Sequence, residues 1–328
     1  ILVCVTILQA LMNPIASLVL IRTNGGTAMM RILGIVGVQV CICVPIIVFQ
    51  FCKGKEFFSK EYWGYALRIG IPIVPHYLSG IILNQGDRIM IDKMVGKTEV
   101  ALYGLAYSIG MLVQLFISGM NSALTPWMYS KIKKGDIRSM RKVLQLLSIV
   151  VVGIAVALML ISPELVLIFG SPKYREAVYV IPPVAASVFF IFIYNILSMP
   201  QFYYEKTQFL MAASMAAAGA NVVLNFIFIR LFGYIAAGYT TLACYMLYSV
   251  GHYIVSKRIL VNEGIQENLM SPGFLVACSV FLIGASIICN LIFPYRILRY
   301  AILLASAGLV FWKLSLIHIS EPTRHLRI

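Results

Sequence analysis

Val143-Leu-Gln-Leu-Leu-Ser-Ile-Val-Val-Val-Gly-Ile-Ala-Val-Ala-Leu-Met-Leu-Ile161 runs from end to end without a charged side chain. Its apolar residues cover every face of a helix, so no side can be turned to water. About 20 such residues cross the ~30 Å hydrocarbon core of a bilayer. A membrane barrel strand would instead alternate in polarity over ~10 residues, and this run does not. The stretch is therefore predicted to be a transmembrane helix.

Similar runs recur on both sides of it, at roughly 1–21, 29–51, 65–94, 101–128, 177–199, 209–231, 235–255, 273–292 and 297–313, with the opening run itself at 143–162. The predicted fold class is all-α: a polytopic transmembrane helical bundle of about ten spans. Composition agrees, with 61% apolar and 12% charged residues, against roughly 25% charged in soluble domains. The connections are too short for a separate soluble domain.

The net charge of +14 does not point to nucleic acid. Its densest cluster is Lys131-Ile-Lys133-Lys134-Gly-Asp136-Ile-Arg138-Ser-Met-Arg141-Lys142, a short loop between apolar spans, which is the signature of a cytoplasmic loop. Alternation of sides then places Cys52 to Tyr62, Gln201 to Gln208 and Ser256 to Ser271 on the same side. Cys4, Cys41, Cys43, Cys244, Cys278 and Cys289 lie in apolar runs and Cys52 at a helix end. No CxxC pair occurs, so the cysteines read as small apolar filler, and neither metal nor cofactor is expected. The chain begins at Ile1 inside a hydrophobic run and is expected to lack an N-terminal part. Residues 315–328 are polar and unpatterned and read as a non-native tail.

The third span carries the polar residues. It reads Leu67-Arg68-Ile-Gly-Ile-Pro72-Ile-Val-Pro75-His76-Tyr77-Leu-Ser79-Gly80-Ile-Ile-Leu-Asn84-Gln85-Gly86-Asp87-Arg88-Ile-Met-Ile-Asp92-Lys93. His76, Gly80, Asn84, Arg88 and Asp92 recur every four residues and form a slowly winding stripe. Charge at mid-bilayer is costly, so such groups face a protein interior or a wet cavity. Arg68, His76 and Arg88 are the candidate contacts for a polar or anionic substrate. Asp87 to Lys93 reads alternatively as an anchor at the headgroup level, and an Arg88–Asp92 pair at i,i+4 is expected. Asn121 and Thr125 form a second polar group. Asn195, Asn221 and Asn225 are read as interhelical hydrogen-bonding residues. Pro14, Pro45, Pro72, Pro75, Pro126, Pro182 and Pro183 are expected to kink or edge the spans.

Ile71-Pro-Ile-Val-Pro-His-Tyr-Leu-Ser-Gly80 followed by Asp87-Arg-Ile-Met-Ile91 resembles the Wzx-like oligosaccharide flippases of the multidrug/oligosaccharidyl-lipid/polysaccharide exporter superfamily. Tyr103-Gly-Leu-Ala-Tyr107-Ser, Pro126-Trp127, Phe169-Gly-Ser-Pro-Lys-Tyr174-Arg-Glu-Ala177 and Leu231-Phe-Gly-Tyr-Ile-Ala-Ala-Gly-Tyr239 extend the likeness, colinear to about Lys257. The family pattern ordinarily has glycine where this chain has Asp92, an acid able to quench Arg88. The resemblance implies a MATE-like fold of two six-helix lobes plus two C-terminal helices. Residues 1–51 would then be the last two helices of the N-lobe, with about four helices before them. Residues 52–64 would be a cytoplasmic inter-lobe linker, 65–256 the six-helix C-lobe and 257–314 the extra pair.

It also implies a transporter in the cytoplasmic membrane, not an enzyme, that flips undecaprenyl-pyrophosphate-linked oligosaccharide for surface polysaccharide by alternating access. Arg68, His76, Asn84, Asp87, Arg88 and Asn121 would line its cavity. Its partners would be the lipid-linked oligosaccharide, membrane lipids, and a polysaccharide polymerase and glycosyltransferases, with no nucleic acid and no cofactor. Two rivals stand beside it. One is an ion-coupled multidrug or cation antiporter, for which Asp87 is the candidate coupling carboxylate. The other is a membrane polymerase or ligase, and the outside acids Glu99, Glu164 and Glu176 show no paired spacing for acid–base work.

Overall fold

A computed structural model describes residues 2–55 and 58–305. Residues 315–328 and the end of the predicted last span lie outside the described residues. Within them the chain forms ten α-helices, one 3-10 segment and a helical run at 296–305, with no strand. The helices are α1 (Leu2–Thr23), α2 (Ala28–Gly54), α3 (Lys60–Met94), α4 (Lys97–Gly110), α5 (Leu112–Lys133), α6 (Ile137–Phe169), α7 (Ile181–Tyr203), α8 (Thr207–Phe232), α9 (Ile235–Asn262) and α10 (Pro272–Ile292). The 3-10 segment, Pro172–Val180, leads into α7.

Eight helical stretches are long and apolar enough to cross a bilayer. Two elements differ in kind from the sequence reading. The single span expected at 101–128 is broken at Met111 into α4 and α5. The 235–255 segment is a helix of 28 residues, but it is too polar to count among the eight. Its Thr240, Thr241, Ser249 and His252 are buried, so its polar groups are spent on other helices.

The chain divides into two compact units, Ile1–Arg68 and Ile69–Ile328, with the boundary falling inside α3. In the first unit α1 and α2 form a hairpin. Gly25 and Gly26 turn it with φ of +86° and +73°, backbone angles that glycine adopts without penalty. Gly34 sits directly on Ser17, where a Cβ would come within 2.7 Å of the Ser17 backbone.

In the second unit α7 is the central helix. It packs against α4, α5, α6, α8, α9 and α10, and nearly all of its residues are buried. Pro182 and Pro183 occupy its first turn, where no intrahelical donor is lost, so they start a helix instead of kinking one. Pro14, Pro45, Pro72, Pro75 and Pro126 all lie inside helices.

Candidate functional site

Within the second unit α3 presents two faces. Ser79, Leu83, Asp87 and Ile91 form the buried one. Tyr77, Gly80, Ile81, Asn84, Gln85 and Arg88, spaced i, i+3, i+4, i+7, i+8 and i+11, line an open cavity of about 630 Å3. Tyr107 and Ser108 of α4, Met111 and Tyr194 of α7 close its other walls. That spacing is one continuous helical stripe.

On the cavity face Arg88 is held from two sides. Its Nη1 donates to Gln85 Oε1 at 3.0 Å, and its guanidinium lies 5.1 Å from the ring centre of Tyr107. Its Nε is buried with no protein partner. The expected Arg88–Asp92 pair does not form. Asp92 is exposed, and the ion pairs among the described residues are Lys131–Asp136, Arg141–Glu267 and Arg299–Glu164. Quenching of Arg88 by that extra acid is therefore not seen. Asn84 turns to tyrosines. Its Oδ1 accepts from Tyr107 at 2.7 Å and from Tyr245 at 3.2 Å, and its Nδ2 donates to Gly80 O at 2.8 Å.

Asp87, one residue round the helix, is fully buried. Its carboxylate accepts from Tyr103 and Asn225 at 2.5 Å each and from Thr241 at 2.7 Å. Asn225 in turn accepts from Thr240 and donates to Asn221 Oδ1 at 3.2 Å. The network thus ties α3 to α4, α8 and α9. Every group that donates to the carboxylate is uncharged. Among the described residues no group of three or more His, Cys, Asp or Glu side chains is gathered for a metal ion.

His76 lies half-buried, its Nδ1 3.0 Å from the Tyr248 hydroxyl and its ring 6.4 Å from that of His252. It faces α9 and does not line the cavity. Arg68 belongs to the first unit and is exposed. Asn121 is half-buried on α5, where its carbonyl accepts from Thr125 at 2.8 Å, and it too does not line the cavity. Of the six predicted residues the structure brings Asn84 and Arg88 to the cavity and sets Asp87 directly behind it.

Sequence reasoning missed Tyr77, Gln85, Tyr107 and Tyr194 as lining. Tyr77 and Gln85 were readable, since they continue the stripe through Gly80, Asn84 and Arg88. Tyr194 had no signal, because it arrives from a helix more than a hundred residues on. Asn225 was read correctly as an interhelical bonding residue.

A polytopic helical bundle with a polar, proline-containing helix lining an open cavity defines a multi-pass membrane protein. Residues 1–133 match the polysaccharide biosynthesis protein family, and residues 72–227 match the MatE family. Together the two matches span residues 1–227 of the chain. In sequence it is similar to the lsg-locus protein 1 of Haemophilus influenzae, 28% identical over 172 residues, covering 49% of this chain and 41% of that protein. It is also similar to an uncharacterised membrane protein of the same organism, 29% identical over 191 residues, covering 54% and 46%. The chain thus spans less than half the length of these curated relatives. In structure it is similar to the lipid II flippase MurJ in an inward closed conformation, with a TM-score of 0.61 and 14% identity over 92% of this chain and 66% of that one. That likeness establishes the MATE-like fold.

Proposed function

We propose that the protein is a flippase that carries a lipid-linked oligosaccharide across the cytoplasmic membrane for surface polysaccharide synthesis. The observation that carries this reading is the polar α3 stripe facing an open cavity, with Arg88 held ready by Gln85 and Tyr107. The substrate has a greasy tail, an anionic linkage and a polar head. A wet cavity walled by membrane helices accommodates the head while the tail stays in lipid. Alternating access then rocks one lobe against the other. In this reading residues 1–51 close the N-lobe, 65–256 form the C-lobe and 257–314 the additional pair. Glycosyltransferases would supply the substrate and a polymerase consume it.

The test is polymer export by the full-length protein carrying Arg88→Ala or Arg88→Glu at normal expression. Loss of export by at least tenfold is expected, and undiminished export by both variants would overturn the reading.

A second reading, an ion-coupled antiporter, is favoured by one observation: Asp87 is a buried carboxylate bonded only to uncharged donors. Gradient-dependent export of a cationic dye, with no polymer phenotype, would select it over the first.

A further inference from the structure

We propose that the cavity between α3, α4 and α7 is a carbohydrate subsite. In it Tyr77 and Tyr194 offer ring surface to one sugar of the head group, and Asn84, Gln85 and Arg88 meet its hydroxyls. This rests on the flippase reading and says which part of the substrate the cavity takes.

The lining chooses among the three parts of a lipid-linked saccharide. A polyprenyl tail would want an apolar groove, and here Asn84, Gln85, Arg88 and Ser108 face the space. A pyrophosphate would want several cations or a helix N-terminus with free backbone N–H groups. The cavity lining has one cation, Arg88. Its α3 wall is mid-helix, where backbone donors are spent within the helix, and at Met111, where α5 begins, the Met111 N–H is bonded to Tyr107 O and the Gln114 N–H to Met111 O.

A sugar fits what remains. Its ring has an apolar C–H face and a rim of hydroxyls, and it suits aromatic surface beside amide and guanidinium groups that donate and accept in fixed directions. Tyr77 is 65% exposed, an aromatic ring on the polar stripe itself. Tyr194 is backed by Tyr245, stacked at 6.4 Å and 10°, and by Tyr248 at 4.4 Å, so its ring is fixed. Tyr107 is engaged with Arg88 and Asn84 and serves as scaffold. Gly80 lies on the lining between Tyr77 and Asn84, and a Cβ built there would meet nothing within 4 Å. No packing neighbour fills that space, and the glycine leaves it open in the floor of the cavity. The volume of about 630 Å3 falls in the ~300–1,000 Å3 range of small-molecule sites.

The experiment uses the purified full-length protein in lipid nanodiscs and two probes, a polyprenyl pyrophosphate and the same lipid bearing one N-acetylhexosamine. The quantity read is the ratio of their dissociation constants. Wild type is expected to bind the sugar-bearing probe about threefold to tenfold more tightly. Tyr77→Ala and Gly80→Phe should bring the ratio to about one, and Tyr77→Phe should restore it. A thermal melt confirms that each variant is folded, and Tyr77→Ala carries the test alone if Gly80→Phe is not. A wild-type ratio near one overturns the subsite and leaves the flippase reading standing. A ratio that survives both substitutions also overturns the subsite. Failure of wild type to bind either probe overturns both.

Discussion

Four helices meet at the two oxygens of Asp87: its own α3, and α4, α8 and α9. Replacing it by leucine would remove the acceptor of the buried Tyr103 and Thr241 hydroxyls and one of the two acceptors of the Asn225 amide. Each orphaned group costs roughly 1–3 kcal/mol in soluble proteins. Membrane interiors give smaller averages, since the unfolded helices also find partners. Asp87→Leu is therefore expected to destabilise by about 2–4 kcal/mol. Asp87→Asn should cost less: it keeps one acceptor but sets an NH2 group among donors. Thermal unfolding in detergent should rank the three proteins wild type, Asn, Leu. Equal melting of all three would mean that the network is not structural.

A second residue-scale prediction concerns the turn between α5 and α6, outside the hydrophobic spans. Gly135 takes φ +68°. Asp136 then caps α6, accepting from the Ser139 N–H and hydroxyl and from Lys131 Nζ at 2.6 Å. Hydrogen bonds from Lys131 and Ser139 pull its carboxyl down to about 2. The folded value lies below the unfolded one, so the cap's contribution is present above pH ~4. It fades as the pH falls through the folded value. A titration of Asp136 with a midpoint near 4 would contradict this.

The sequence revealed that the third span is the polar one, since charge and amide groups in an apolar run are visible by inspection. It did not reveal which of two adjacent stripes faces inward. Steps of four from His76 and from Ser79 are both regular. Only the distant partners decide between them, Tyr103 on α4, Asn225 on α8 and Thr241 on α9, and no local pattern announces those.

Among the elements, α7 shows the limit of periodicity most clearly. It is apolar on all sides like the 143–161 run, yet it is buried by protein where much of α6 is not. Composition alone does not separate a helix wrapped by helices from one wrapped by lipid. Close approach does leave a trace, in glycine. Gly110, at the end of α4, lies so near α7 that a Cβ would fall 2.6 Å from Val184 Cγ1. Gly110→Ala is expected to cost about 1–3 kcal/mol through overpacking and to lower the melting temperature in detergent. Gly104→Ala, whose Cβ would meet nothing within 4 Å, should be neutral or stabilising by up to about 1 kcal/mol in the same assay. The contrast between two glycines of one helix controls for helix propensity.

The 296–305 helix is held by a different device. Arg299 forms a two-pronged pair with Glu164, both contacts at 2.8 Å, and also donates to Leu160 O at 2.6 Å. The arginine side chain is 4% exposed and the glutamate 24%. Removing one member of a buried pair leaves the other uncompensated, so Arg299→Ala is expected to cost on the order of 3 kcal/mol. Glu164→Ala, which leaves a nearly buried guanidinium, should be at least as damaging. Proteolytic release of the segment after α10, measured against wild type, reads both.

At the scale of the second unit, α6 acts as a ruler. Arg141 near its start donates to Asn268 O at 2.7 Å and lies 3.7 Å from Glu267. Glu164 near its end pairs with Arg299. These two points are about 35 Å apart along a helix rising 1.5 Å per residue, farther than the ~30 Å hydrocarbon core is thick. The α5–α6 turn and the α9–α10 loop therefore share one end of the bundle, and the residues after α6 and after α10 share the other. The first end holds Lys131, Lys133, Lys134, Arg138 and Lys142, the densest basic cluster in the chain, and on that charge we propose that it is the cytoplasmic one. Single cysteines at Lys134 and Gln266, in a full-length protein whose native cysteines are replaced, should react with a membrane-impermeant maleimide only in inside-out vesicles. Cysteines at Lys173 and Arg296 should react only in right-side-out cells. Labelling of positions 134 and 266 from opposite sides would break the pairing of ends. Labelling of both from outside would keep the bundle but invert it.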